Sequence, residues 1–330
     1  MNLRNVFLTL LSYDPSRVGH LLPGWRAWQR LKGLEISMSD CPGLSDSIRY
    51  IGGADVSYDG DKAVAGLVVL SYPDLKPIYH ATELIENKFP YIPEFLDMRE
   101  APAIARLVRD FKRKVEHDDK EDRDESLLTR RGFIKRILSM HRIRLDSTED
   151  HKTEDVKVEE RKLLLSRRSF LRKFFGMKEK RHSFVLLVDG SGAYHQRGMG
   201  SACHVGILTD TVTIGVAKSF YPISNLSSYK CDQIRKLSLK SKGDSVVLDV
   251  NGLYAALKTT DKANPIFVSV GHKISLKTAL KLVLNCSNSR IPEPIRLADS
   301  FTRFLVKLRA KNNSWAQFQA QRKNSQGTKN

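Results

Sequence analysis

Two acidic residues stand where an acid is costly. Asp55 lies in an apolar stretch, flanked by Gly53, Ala54 and Val56, with turn-forming residues beginning only at Asp59. Asp189 ends the run Val185-Leu186-Leu187-Val188 and is followed by Gly190-Ser191-Gly192. A carboxylate in an apolar strand is expensive to bury unless it is paired or bound to a cation. A third acid, Glu100, opens the segment Arg99-Glu100-Ala101-Pro102. Two of these have an ordinary alternative: Glu100 as a first-turn helix carboxylate favoured by the dipole, Asp189 as a turn former. With no His-rich or Cys-rich company, the three carboxylates suit a hard, oxygen-seeking ion such as Mg²⁺ or Mn²⁺.

The elements that must position them follow from patterning. Residues 1–47 read as a helical lead-in, with Trp25, Trp28 and Leu31 at helical spacing and a turn at Cys41-Pro42-Gly43. Tyr50–Tyr58, Ala63–Tyr72 and Pro77–Glu86 read as three strands with short connections, hence antiparallel neighbours. Arg99–Lys112 carries apolar residues at helical period. Phe184–Val188, a Gly-rich turn, a helix and Thr211–Ala217 follow βαβ grammar. Ser245–Val250, Leu253–Lys258 and Ile266–Val270 read as further strands. Helices over Ser275–Leu284 and Pro292–Leu308 close the domain. The outline is a ribonuclease H-like α/β fold: three antiparallel strands, then parallel strands with flanking helices. Asp189 would lie at a strand C-terminus, where open α/β sheets place their sites.

Composition narrows the partner. Lys and Arg number 55 against 37 Asp and Glu, a formal charge of +18, which favours a polyanion such as nucleic acid. Residues 112–182 hold 22 Lys/Arg and 15 Asp/Glu, too charged to bury a core of their own. We therefore divide the chain into a catalytic domain over 48–112 and 183–309, a disordered insertion over 113–182 that could contact RNA or a protein, and a flexible basic tail over 310–330. The four cysteines, Cys41, Cys203, Cys231 and Cys286, form no C-x-x-C pair. That argues against a zinc site or disulfide framework and suits a reducing compartment; the expected address is the cytoplasm or nucleus, nucleolus included. The apolar run Val6–Leu11 is too short to span a bilayer. Asp14 is the only acid before Glu35, which leaves a mitochondrial presequence open. A monomer without membrane attachment is expected.

Longer strings carry a resemblance. Pro90-Tyr91-Ile92-Pro93 precedes Phe95-Leu96 and Arg99-Glu100. Asp189-Gly190-Ser191-Gly192 runs on to His195, Arg197-Gly198, Gly200 and Ala202-Cys203-His204. Ile214-Gly215-Val216-Ala217-Lys218, Gly271-His272-Lys273-Ile274-Ser275 and Arg290-Ile291-Pro292-Glu293-Pro294 follow. In this order and spacing they resemble the endonuclease V family from about residue 48 to 308, interrupted by the charged segment. The resemblance implies that Asp55, Glu100 and Asp189 bind Mg²⁺, with Mn²⁺ able to substitute, and that Lys218 and His272 complete the active site. It implies a wedge at Pro90, Tyr91, Ile92 and Pro93 that enters the strand beside a lesion. Gly190, Gly192, His195 and Gly200 would then surround the displaced base, with His195 and His204 orienting the Gly-rich loop. The family recognises hypoxanthine in inosine and cuts the second phosphodiester on its 3′ side, leaving 3′-hydroxyl and 5′-phosphate ends.

The roles are physically reasonable. Carboxylate-held metal activates water and steadies a phosphate in in-line displacement. Lys218 past a buried strand could bring a point charge to that phosphate, or simply snorkel. His272 could move a proton. Reading one base requires unstacking it, and prolines fix a wedge in advance.

Three positions depart from the family pattern: Ser191 where His or Asn is common, Gln196 for Pro or His, and Glu94 for the glycine after the wedge. Glu94 would place a negative charge near the strand path and weaken binding. The strings at His195-x-Arg197-Gly198 and Ala202-Cys203-His204 are similar to the eukaryotic branch, which implies inosine-bearing single-stranded RNA as substrate. An inosine-specific DNA repair enzyme, another ribonuclease H-like nuclease and a non-catalytic nucleic-acid-binding protein are the rival readings.

Overall fold

The three alternating runs after residue 48 form a meander of β1 (Ile48–Asp59), β2 (Lys62–Ser71) and β3 (Pro77–Glu86). Every neighbouring pair in it is antiparallel, with Asp55 opposite Gly66. This is a computed structural model, which describes residues 18–44, 48–60, 62–86, 92–118, 183–220, 239–249 and 251–312. Pro90, Tyr91, Cys231, most of the charged segment and most of the basic tail lie outside the described residues. By its contacts the chain divides into two units, Met1–Phe111 with His182–Asn330, and Lys112–Arg181. The sheet and site lie in the first.

The remaining described elements are α1 (Val18–Gly33), a 3₁₀ turn at Pro93–Phe95 leading into α2 (96–118), β4 (Ser183–Asp189), α3 (Ser201–Thr209) and β5 (Val212–Ala217). Then come β6 (Ser245–Val247), β7 (Tyr254–Leu257), β8 (Ile266–His272), α4 (Leu276–Asn285) and α5 (Glu293–Asn312). The eight strands form one mixed sheet in the order β3-β2-β1-β4-β5-β8-β7-β6. β4 runs parallel to both β1 and β5, which is the βαβ unit the patterning predicts. Beyond it the sheet turns antiparallel again through β8 and β7. The fold is the ribonuclease H-like mixed α/β class.

Adjacent residues in a strand face opposite sides, so β1 shows how the helices flank it. A Cβ on Gly52 would lie 2.7 Å from the Phe184 ring, the face on which α2 packs Phe111 at 5.0 Å from that ring. A Cβ on Gly53 would lie 2.0 Å from the Pro294 backbone, because the start of α5 rests directly on the other face. The largest core cluster joins Ile51, Leu187, Ile214 and Val268 to Ala279, Val283, Ile295 and Ala298 of α4 and α5. This packing brings the carboxyl ends of the parallel strands under one turn of α5.

Candidate active site

Register gathers the first acids. Ala54 pairs with Val188, so Asp55 and Asp189 are the next residues on adjacent parallel strands. Asp189 pairs in turn with Val216, two residues before Lys218. Lys218 Nζ lies 2.6 Å from Asp189 Oδ2 and 3.4 Å from Asp299 Oδ1 on α5. The Asp55 carboxyl lies against those of both Asp189 and Asp299. Burial, then the Asp189 charge, raises Asp55 to about 8. Asp299 is held below the usual carboxylate range: burial opposes this, but the Asp55 hydrogen bond, Lys218 and Arg303 outweigh it. For Lys218 burial favours the neutral amine, yet Asp189, Asp55 and Asp299 together raise it and keep the ammonium.

Glu100 comes from the second turn of α2. Tyr58 Oη donates to its Oε1 at 2.7 Å and Ser201 Oγ to its Oε2 at 3.4 Å. Burial raises Glu100 to about 7, against the opposing effect of the Tyr58 hydrogen bond. Asp55, Glu100 and Asp189 all line one cavity of about 430 Å³, with Gly190, Ser191, His195 and Gly200 on its wall. A second cavity of about 420 Å³ shares Asp55, Tyr58 and Asp189 and adds Lys218 and Asp299. Among the described residues, no three His, Cys, Asp or Glu side chains already form a ligand set for a cation. Within the cluster the positive charge comes from the ammonium of Lys218.

The wall of the first cavity is braced from behind. Gln29 of α1 is fully buried; its Nε2 donates to Asp97 Oδ1 at 2.9 Å, and its Oε1 accepts from Arg197 Nε at 2.5 Å. Arg197 also binds Glu94 through Nη1 at 2.9 Å and stacks over Phe95 at 4.5 Å. His204 is buried against Asp97 at 3.0 Å, and His195 Nε2 meets the Glu94 carbonyl at 3.2 Å. The Glu94 charge is therefore matched by Arg197, which offsets the repulsion expected of it near a nucleic-acid strand. Both histidines lie in the structural frame of the Gly-rich loop.

Other predicted residues lie differently. His272 lines neither cavity. Its register partner is Thr213, whereas Phe267 pairs with Ala217 beside Lys218. His272 is thus four residues back along β5, about 13 Å from that end. There its Nδ1 accepts from the Ser37 N–H at 3.3 Å, and its Nε2 is 4.0 Å from Asp210. Gly192 and Gly200 are committed to packing within the protein. A Cβ on Gly192 would strike the Val270 carbonyl at 2.0 Å, and one on Gly200 the Ser191 hydroxyl at 2.3 Å. Gly190, at φ +133°, faces the cavity with nothing closer to its absent Cβ than 3.8 Å. Of the wedge, Ile92 and Pro93 lead into the 3₁₀ turn; Pro90 and Tyr91 lie outside the described residues. Asp299 and Tyr58 are the members that sequence reading missed.

The acids at the parallel strand ends, with the glycine loop beside them, set the frame for comparison. The endonuclease V family profile matches residues 33–119 and 168–300. The chain belongs to the endonuclease V family. With it, it belongs to the enzymes that cut nucleic acid within a strand. Endonuclease V of Mus musculus is 31% identical over 267 residues, covering 79% of this chain and 60% of that protein's own length. The Homo sapiens endonuclease V is 30% identical over 263 residues, covering 78% and 71%. The human endonuclease V crystal structure superposes with a TM-score of 0.61 at 28% identity, covering 88% of this chain and 99% of that one. Ciona intestinalis endonuclease V, bound to a 24mer DNA containing an inosine followed by a ribo-adenosine, gives a TM-score of 0.59 at 27% identity, covering 88% and 99%.

Proposed function

We propose that this chain is a divalent-metal-dependent nuclease that cuts single-stranded RNA at the second phosphodiester 3′ of an inosine, leaving 3′-hydroxyl and 5′-phosphate ends. The observation that carries it is the convergence of Asp55, Asp189 and Glu100 on one cavity whose wall includes Gly190. The donor set fits a hard cation. All its atoms are carboxylate oxygens, two of the acids are raised by burial and by the Asp189 charge, and the Lys218 ammonium lies beside them. Asp55, Asp189 and Glu100 would hold Mg²⁺ or Mn²⁺, which when bound lowers the pKa of water and neutralises charge on a phosphate oxygen.

The chain's own groups supply the rest. Lys218, held by Asp189 and Asp299, presents a fixed cation beside the acids, where it would neutralise a phosphate oxygen. Tyr58 and Ser201 orient Glu100 through their hydroxyls. Gly190 leaves backbone open to the cavity for a displaced base, and Ser191 offers a hydroxyl where a larger polar side chain is common in the family. The Ciona relative's complex with inosine-containing DNA supports the base assignment and makes DNA the second substrate to test.

The test is cleavage of single-stranded RNA and DNA of one sequence, each with and without a single inosine, in Mg²⁺ and in EDTA. Cutting of inosine RNA alone, lost in EDTA, is expected. Equal cutting of plain and inosine strands would identify a general ribonuclease H-like nuclease instead.

A further inference from the structure

The two cavities meet at Asp55 and Asp189 but differ in charge. The one holding Gly190 is lined by five acids, Asp55, Glu94, Asp97, Glu100 and Asp189, and by no Lys or Arg. The other carries Lys218, Arg303 and Lys307. Asp299, Arg303 and Lys307 occupy positions i, i+4 and i+8 of α5, so one helix face lines that cavity with an acid beside the cutting centre and cations one and two turns beyond. A turn rises 5.4 Å, comparable with one nucleotide step of an extended strand. Arg303 is 62% exposed and binds Asp299 through Nε at 2.9 Å, leaving the rest of its fork for a second acceptor. Lys307 is exposed and meets no carboxylate among the described residues.

We propose that Arg303 and Lys307 form a phosphate track for the strand on the 3′ side of the cut. The inference rests on the functional reading above. If the base lies on the Gly190 side and the cut falls 3′ of it, the strand leaves the carboxylates into the second cavity. Successive phosphates would be repelled by the acidic cavity and are matched by the cations on α5. The track acts on affinity, because neither cation need touch the reacting phosphate.

Binding measured by fluorescence anisotropy in EDTA tests this without turnover. The probes are inosine-containing RNAs, one ending at the nucleotide before the cut and one continuing about six nucleotides past it. The native chain is expected to bind the longer strand roughly tenfold tighter at low salt. Lys307→Glu is expected to lose most of that advantage while binding the short strand as before. Lys307→Gln should lower the salt slope by about 0.7 on the long strand only. Lys281→Glu, an exposed charge reversal on α4, serves as the control and should change neither. Equal losses on both strands, no loss on either, or a dependence on 5′ length instead would overturn the track. Matched adenosine strands read out the base assignment separately: equal affinity for inosine and adenosine would sink that reading, whatever the 3′ length shows.

Discussion

At the scale of single residues the site is a cluster of largely buried acids around one cation, Lys218. Removing one acid should therefore remove chemistry before it removes binding. Asp55→Asn or Asp189→Asn is expected to lower single-turnover cleavage of inosine RNA by roughly three orders of magnitude or more. Affinity in EDTA should stay within a few fold, and comparable loss of both would point to a collapsed pocket. Titration gives a second test. Asp55 at about 8 and Glu100 at about 7 hold protons that an unfolded chain, titrating near pH 4, has released. Both folded values are raised, so their contribution to stability is complete below pH 4 and is lost as pH rises through 7 to 8. Thermal unfolding of the metal-free chain should show a falling midpoint across that window. Asp55→Asn mimics the protonated acid, so it should flatten the fall and stabilise by on the order of 1–2 kcal/mol at pH 8.5. A variant whose midpoint tracks the native chain at every pH would contradict the raised Asp55.

At the scale of elements the decisive event is the seating of α5 on β1. Gly53 lets the Pro294 backbone reach van der Waals contact, and only from there does Asp299 extend over Asp55. Gly53→Ala should cost about 3 kcal/mol or more, measured by denaturant unfolding, because both contacting groups are backbone. Ser57→Ala, nearby, loses only the 2.8 Å bond to Thr302 and should cost about 1 kcal/mol. Similar costs for the two would mean that α5 is not seated on Gly53. The same docking explains what the sequence made legible. Asp55 and Asp189 are visible because an acid in an apolar strand is an anomaly, and the strands themselves follow from alternation. Asp299 is invisible because an acid on the half-exposed face of an amphipathic helix is ordinary. Its place depends on α5 crossing a strand more than 200 residues earlier in the chain. Glu94 and Arg197 are likewise paired across 103 positions, a relation that no local pattern encodes. His272 fits a motif, yet its strand register carries it to the far end of β5.

At the scale of the whole molecule the question is what residues 119–181 add. All eight described strands pair among themselves within Met1–Phe111 and His182–Asn330, with β4 entering between β1 and β5. The family profile also breaks inside the charged segment, between 119 and 168. Replacing 119–181 by a short Gly/Ser linker should therefore leave a cooperatively unfolding protein that cuts inosine RNA at the same phosphodiester. Over 112–182 the segment holds 22 Lys/Arg against 15 Asp/Glu, a surplus whose attraction to phosphates is screened by salt. If it serves as an accessory arm, the shortened protein should bind long strands more weakly at about 50 mM salt and equally at about 300 mM. The logarithmic salt slope should then be shallower than that of the full chain. The short strand that ends before the cut separates this arm from the α5 track: losing the arm should weaken both strands, whereas Lys307→Glu weakens only the long one. Identical affinities at every salt concentration would make the segment a spacer, and a displaced cut would show that it helps to set the register of the strand.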